Sequence, residues 1–340
     1  VCEGALMVTR KGTVLLMAKP FFPWMGNKEK LVPYIHQLIP PHVKQFTEAF
    51  GGSGAVILGL QPKKGRLDIY NDLNDDLFNV FCCVKEKSFS LAKELKFLPV
   101  HGRTPFAFYR DMAAHEPDFY RHIEEEKRVV AESTCFTEEE IRELLTILDG
   151  NAKLFDVRRA AAFLFTTYGS FSGTGNSVGI KTVDPQAIVD KLPQVSRRMD
   201  SIFLEHQDAL VLIPKEDRPD GIIYADPPYM LTEKVYDVRF LPEHHIILHD
   251  RARSCKGYVI ISYGYDDRII DLYKDDFFII SLKRTNPLSQ TEGSTFRELI
   301  ITNYDPSPYL NKQLDIFGQA TEAMWEPVIL HRPRRILKAD

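Results

Sequence analysis

No apolar run in this 340-residue chain comes near the length of a membrane span; runs such as residues 257–261 stop at strand length. Cysteine is scarce. The five (Cys2, Cys82, Cys83, Cys135, Cys255) are an odd number with no metal-ligand spacing, which argues against a disulfide framework and a zinc site and for a reduced, cytoplasmic protein. There is no Gly-x-Gly-x-x-Gly fingerprint and no Gly-Lys-Ser/Thr loop, so a dinucleotide oxidoreductase and a P-loop NTPase are both disfavoured. Positive charge is not in excess: 43 Lys and Arg stand against 47 Asp and Glu. That excludes a polycation, although a local phosphate-binding face needs no overall excess. No small-residue cleavage site follows the first apolar stretch, so a signal peptide is not expected.

What is present is an ordinary globular balance, 44% hydrophobic and 26% charged, at a length that suits two domains or one core with a large insertion. Residues 45–50 form a β-prone run that stops at Gly51-Gly52-Ser53-Gly54. An apolar segment suited to a buried helix follows, then a second strand at 66–70 ending on Asn71-Asp72, then a helix from Asp75 to Val84. Strand, Gly-rich turn, helix, strand, acidic turn is the grammar of a doubly wound parallel sheet. It resumes with strands at 221–225 and 257–262 and a hairpin-like pair at 277–282 and 297–302. Between the halves, residues 82–205 lose the alternation and read as helices.

Three features carry chemistry. Glycines between a strand and a helix let backbone approach a ligand closely at the sheet's carboxyl edge. Asp72, about twenty residues on, stands where a carboxylate accepts hydrogen bonds from ribose hydroxyls in doubly wound folds; a helix cap is the competing role. Asp226-Pro227-Pro228-Tyr229 closes an apolar strand with two residues that lack N–H donors, flanked by a carboxylate and an aromatic ring. Such a turn suits a planar amine, with Asp226 and the Pro227 carbonyl accepting its hydrogens and Tyr229 stacked on the ring.

With these features in this order, the chain resembles the adenine-N6 DNA methyltransferases of the Dam type (the alpha group) over about residues 19–305. Residues 20–28 are similar to the N-terminal element of that family, 46–54 to its methionine-binding loop, 71–74 to its ribose carboxylate motif and 226–229 to its catalytic tetrapeptide. Pro23, Asn27, Ala49 and Ser53 depart from the usual residues. Phe240 with His245 and Leu248 resembles the helix signature that follows the tetrapeptide, where His245 reads as a packing residue.

The resemblance implies an α/β fold: a Rossmann-like methyltransferase sheet with an inserted, mainly helical target-recognition domain. The expected boundaries are 1–18 as an N-terminal extension, 19–81 and 206–305 as a discontinuous catalytic domain, 82–205 as the insertion and 306–340 as a tail. It implies direct methyl transfer from S-adenosylmethionine to a flipped-out adenine in double-stranded DNA, with no metal; a monomer is the default expectation, since the sequence carries no oligomerisation signature. Asp226, Pro227, Pro228 and Tyr229 would be catalytic. Trp24, Lys28, Glu48, Phe50, Gly51, Gly52, Gly54, Asp72 and Asp208 would bind the cofactor, and Lys181, Arg197, Arg198, Lys283 and Arg284 would contact DNA. Other planar amines (RNA adenine, cytosine N4, protein glutamine) and an inactive DNA-binding relative are the alternatives. Whether the setting is restriction–modification, a phage or a regulatory system stays open.

Overall fold

Strands β1 (Gln45–Glu48) and β4 (Gly221–Ala225) are buried at every position, the pattern of parallel strands covered on both faces. They lie side by side at the centre of a sheet in the computed structural model, which describes residues 17–97, 116–170, 184–229, 240–285, 295–310 and 326–333. The remaining strands are β2 (Leu67–Asn71), β3 (Ile202–Glu205), β5 (Tyr258–Gly264), β6 (Phe278–Thr285), β7 (Thr295–Thr302) and β8 (Glu326–His331). Their order across the sheet is β3-β2-β1-β4-β5-β7-β6-β8.

The first five strands are mutually parallel, and β7 runs antiparallel to both β5 and β6. From β1 the chain builds outward through β2 and β3, then returns to place β4 on the other side of β1. A crevice opens at such a reversal, beyond the carboxyl ends of the two strands, and it is where ligands bind in open α/β sheets. β1 ends on Glu48 and β4 leads into Asp226.

The chain divides into two compact units. One comprises Lys28–Asn74 and the described residues from Ser201 onward, and it holds the whole sheet. Its helices are α1 (Val32–Leu38), α2 (Ala55–Gly59), α9 (Ala209–Glu216), α10 (Pro242–Ser254), α11 (Asp267–Tyr273) and α12 (Ser307–Leu310). A continuous core runs through it from Ala49 and Leu212 to Ile261, Phe277 and Ile301.

The other unit comprises Ala18–Asn27 and the described residues of Asp75–Asp200. It is built from α3 (Asp75–Glu86), α4 (Ser88–Phe97), α5 (Glu116–Ala131), α6 (Glu138–Gly169), α7 (Pro185–Val189) and α8 (Leu192–Met199). Its start at Asp75, where the sequence reading set 82, follows from α3, which packs against α6 and α8. The long α6 starts at a capping box: Thr137 accepts from the Glu140 backbone while the Glu140 side chain accepts from the Thr137 N–H at 2.8 Å. Phe21 and Phe22 pack edge-on against Phe81, which ties the short N-terminal segment to α3.

Two strands escaped the sequence reading. β3 falls inside the expected insertion and β8 inside the expected tail. Both lie at edges of the sheet, and each carries an apolar run of only three residues (202–204 and 328–330), too short to read as a strand by itself.

Candidate active site

The Gly-rich turn after β1 is built around two constraints. A side chain at Gly51 would collide with the buried ring of Tyr70, since a Cβ there would lie 2.2 Å from it. Gly54 caps α2 in the left-handed region at φ 66°, a conformation glycine adopts without strain. The turn is then tied to β2: the Gly51 N–H donates to the Asn71 carbonyl at 2.8 Å, and the Tyr70 hydroxyl donates to the Gly52 carbonyl at 2.8 Å.

Asp72 joins the same two loops. Its carboxylate accepts from the Gly52 N–H at 2.7 Å and from the Asn74 N–H at 2.8 Å. Both competing expectations for this residue therefore have a physical basis: it organises the turn leading to α3 and also brings a carboxylate to the glycine loop. Burial raises its pKa, against the pull of those two N–H donors. Glu48 is 2% exposed and accepts from the Ile57 N–H of α2 at 2.9 Å. Burial pushes its pKa well above the carboxylate range, and the charges of Asp226 and Asp72 add to the rise.

Asp226 lies at the end of β4 with both oxygens engaged. Oδ1 accepts from the Ser262 hydroxyl at 2.8 Å, and Oδ2 pairs with Lys28 Nζ at 2.8 Å. The Ser262 hydroxyl is also 2.8 Å from that of Tyr224, so with Ser262 donating to Asp226 the tyrosine donates to the serine. Burial raises the Asp226 pKa, while the Lys28 ammonium and the Ser262 hydroxyl oppose the rise.

Tyr229 packs its ring edge on the backbone of Gly264 and lies 5.9 Å from the Tyr263 ring. Lys28 Nζ lies 4.9 Å from its centre, and its hydroxyl donates to Glu298 Oε2 at 3.1 Å. Burial pushes Glu298 up to about 7, with Lys28 opposing and the Asp226 charge contributing. Four electrostatically coupled carboxylates (Glu48, Asp72, Asp226 and Glu298) thus share this part of the molecule with the Lys28 ammonium. An acidic setting of this kind favours a cationic ligand over a pyrophosphate.

Residues 24–287 match the model of the D12 class N6 adenine-specific DNA methyltransferases. The chain belongs to this family. Its reaction is methylation of adenine at N6 in DNA. The methyltransferase is 24% identical over 310 residues to the Type II methyltransferase M1.LlaDCHI of Lactococcus lactis subsp. cremoris, covering 84% of this chain and 95% of that protein. It is 22% identical over 317 residues to the Type II methyltransferase M.MjaIII of Methanocaldococcus jannaschii, covering 84% and 99%. A solved structure, protein LPL1258 of Legionella pneumophila, overlaps 33% of the chain and 43% of its own at 16% identity and a TM-score of 0.22, too slight to bear on the fold.

The other expected site residues of the methyltransferase fall as follows. Phe50 packs edge-on against Phe240 at 5.6 Å, on the core of the sheet unit. Asp208 caps α9, accepting from the Leu210 N–H at 2.8 Å. Trp24 belongs to the helical unit, half-buried with its ring 6.0 Å from Phe163. His245 is fully buried, bonded through Nδ1 to the Tyr263 hydroxyl at 2.8 Å, and burial holds its pKa down at about 4, as a packing histidine requires.

Among the expected DNA contacts, Arg197 and Lys283 are exposed, Arg284 is placed by its backbone in β6, and Lys181 lies outside the described residues. Arg198 needs correction. It is fully buried on the inner face of α8 with Leu192, Val195 and Met199, so it offers no charge to a phosphate. Ser262, Tyr224 and Glu298 were not singled out from the sequence. Among the described residues no cluster of His, Cys, Asp and Glu has the arrangement of a metal site, and no helix is long and apolar enough to cross a membrane.

Proposed function

We propose that this methyltransferase takes its methyl group from S-adenosylmethionine and acts on an adenine turned out of a DNA duplex, with Asp226, Pro227, Pro228 and Tyr229 around the target base. The observation that carries the reading is Asp226 itself. It is a partly buried carboxylate at the strand reversal, held from one side by Ser262 and from the other by Lys28. When bound, S-adenosylmethionine supplies an electrophilic methyl group on a sulfonium.

The residues present suit that cofactor. Gly51, Gly52 and Gly54 keep side chains out of the loop at the carboxyl edge, and Asp72 supplies a ribose acceptor beside it. A bound sulfonium would favour the ionised forms of Glu48 and the carboxylates coupled to it, and those forms in turn favour its positive charge. Lys28, Phe50, Asp208 and Trp24 complete the proposed cofactor-binding set.

The protein's part in the reaction is hydrogen bonding and alignment. The N6 lone pair of adenine is delocalised into the ring, so the amine is a weak nucleophile. Asp226 and the Pro227 carbonyl accept its two hydrogens and stabilise the pyramidal nitrogen of the transition state more than the planar amine. Pro228 stiffens the turn, and Tyr229 offers a stacking surface to a base that has left the duplex. Arg197, Lys283 and Arg284 are the proposed phosphate contacts, with Lys181 as a further candidate. The two Type II methyltransferase relatives support a restriction–modification setting.

The test separates binding from chemistry. Asp226→Ala should retain S-adenosylmethionine binding by calorimetry while methyl transfer to DNA falls about a hundredfold or more. Loss of binding in parallel with transfer would move Asp226 from the target base to the cofactor.

A further inference from the structure

We propose that Glu298 is a positioning residue for methyl transfer: its carboxylate holds the Tyr229 ring by the phenol hydroxyl and so sets the surface against which the target base stacks. The proposal rests on the reading of Tyr229 as that surface.

The argument starts from where each residue is held. Tyr229 stands at the end of the tetrapeptide, beyond the last residue of β4, so the strand ladder does not fix its ring. Glu298 belongs to β7 and lies directly opposite Gly264 of β5, inside the hydrogen-bonded sheet. The 3.1 Å bond between the hydroxyl and Glu298 Oε2 therefore ties a loop side chain to a rigid strand.

Gly264 makes the approach possible. A Cβ there would lie 3.0 Å from Cδ2 and Cε2 of the Tyr229 ring, tighter than ordinary van der Waals contact. The strand pair thus supplies both a bare backbone against the ring edge and an acceptor at the ring tip. Contact along the Cδ2–Cε2 edge together with the bond at the hydroxyl restricts the orientation of the ring, which is what a stacking platform needs.

Stability alone does not account for this carboxylate. Arg297, its neighbour in sequence, places its guanidinium 3.6 Å from the centre of the Tyr265 ring. Glu298 instead loses hydration on burial and feels both the Lys28 ammonium, which favours its charge, and Asp226, which disfavours it. A half-buried carboxylate in such a place weakens the fold unless its bonds compensate, and the bond it accepts comes from Tyr229.

The experiment measures kcat and KM for unmethylated genomic DNA, with S-adenosylmethionine saturating, in Glu298→Leu, Glu298→Gln, Tyr229→Phe, the Tyr229→Phe/Glu298→Leu double variant and Tyr229→Ala. Glu298→Leu should lower kcat about tenfold with KM changed less than about twofold. Glu298→Gln keeps an acceptor oxygen and should stay within about threefold of the parent. The Tyr229 hydroxyl also hydrogen-bonds Asp226, so Tyr229→Phe should lose at least as much as Glu298→Leu, and the double variant should be no worse than Tyr229→Phe, because the bond to Glu298 cannot be lost twice.

Parental kcat in Glu298→Leu, or losses that multiply in the double variant, would overturn the proposal. If Glu298→Leu does not fold, Tyr229→Phe removes the same bond from its other end, and parental kcat there overturns it equally. Near-parental kcat in Tyr229→Ala would instead sink the reading of Tyr229 as the stacking surface. An inactive Tyr229→Ala beside an unimpaired Glu298→Leu removes only the role of Glu298.

Discussion

Lys28 Nζ lies 2.8 Å from Asp226 Oδ2 and 4.9 Å from the centre of the Tyr229 ring, so one buried ammonium lies against both the carboxylate and the aromatic end of the Asp226-Pro227-Pro228-Tyr229 turn. Burial raises the Asp226 pKa and Lys28 opposes the rise. A protonated carboxyl would lose acceptor capacity at the oxygen that carries the proton.

Lys28→Met removes the opposing charge, so Asp226 takes up its proton at a higher pH than in the parent. The acid limb of the kcat–pH profile should therefore move towards higher pH. An acid limb that stays in place would mean that Lys28 does not govern the protonation of Asp226.

Gly51→Ala should damage both the loop and what it binds. The new Cβ meets the Tyr70 ring at 2.2 Å, and Tyr70 is fully enclosed, so the ring or the turn must move. Overpacking of this kind costs about 1–3 kcal/mol. S-adenosylmethionine affinity should fall about tenfold or more, because the shift displaces the loop that Asp72 and Asn71 hold in place. Denaturant melts and calorimetric titration check the two effects separately; unchanged affinity would remove the loop from the cofactor site.

Glu298 also links stability to pH. Its folded pKa of about 7 lies above the ordinary glutamate value, so the folded state binds this proton more tightly than the unfolded chain does. The stabilisation is full below the unfolded pKa, declines as pH rises between the two values and is lost above about 7. A shift from 4.5 to about 7 corresponds to about 3 kcal/mol. Glu298→Gln cannot ionise. Its thermal midpoint should match the parent near pH 4 and exceed it by several degrees at pH 8. A difference that does not change with pH would show that the carboxylate ionises without penalty.

The parts of the site legible in the sequence are those carried by a few consecutive residues. The glycine turn, Asp72 and the tetrapeptide each announce themselves locally, and the parallel sheet brings their ends to one edge. Ser262 and Glu298 reach Asp226 and Tyr229 from positions 36 and 69 residues away, through the β4–β5 and β5–β7 registers, which no local pattern encodes. Arg197 and Arg198 read as a basic pair. On a helix, neighbours point about 100° apart, and the apolar face of α8 carries Arg198 inward while leaving Arg197 outside. The edge strands β3 and β8 were missed because their apolar runs are only three residues long, and Asp208 shows how a carboxylate at a strand–helix turn serves as a cap before any ligand is considered.

The central claim is methyl transfer to adenine N6 with Asp226 at the target amine. The most direct measurement is transfer of label from S-adenosylmethionine to unmethylated genomic DNA by the parent and by Asp226→Ala, with the products resolved as nucleosides. The expected result is N6-methyladenine as the labelled nucleoside, falling about a hundredfold or more in the variant. Label on another base, or label on adenine undiminished in Asp226→Ala, would contradict it.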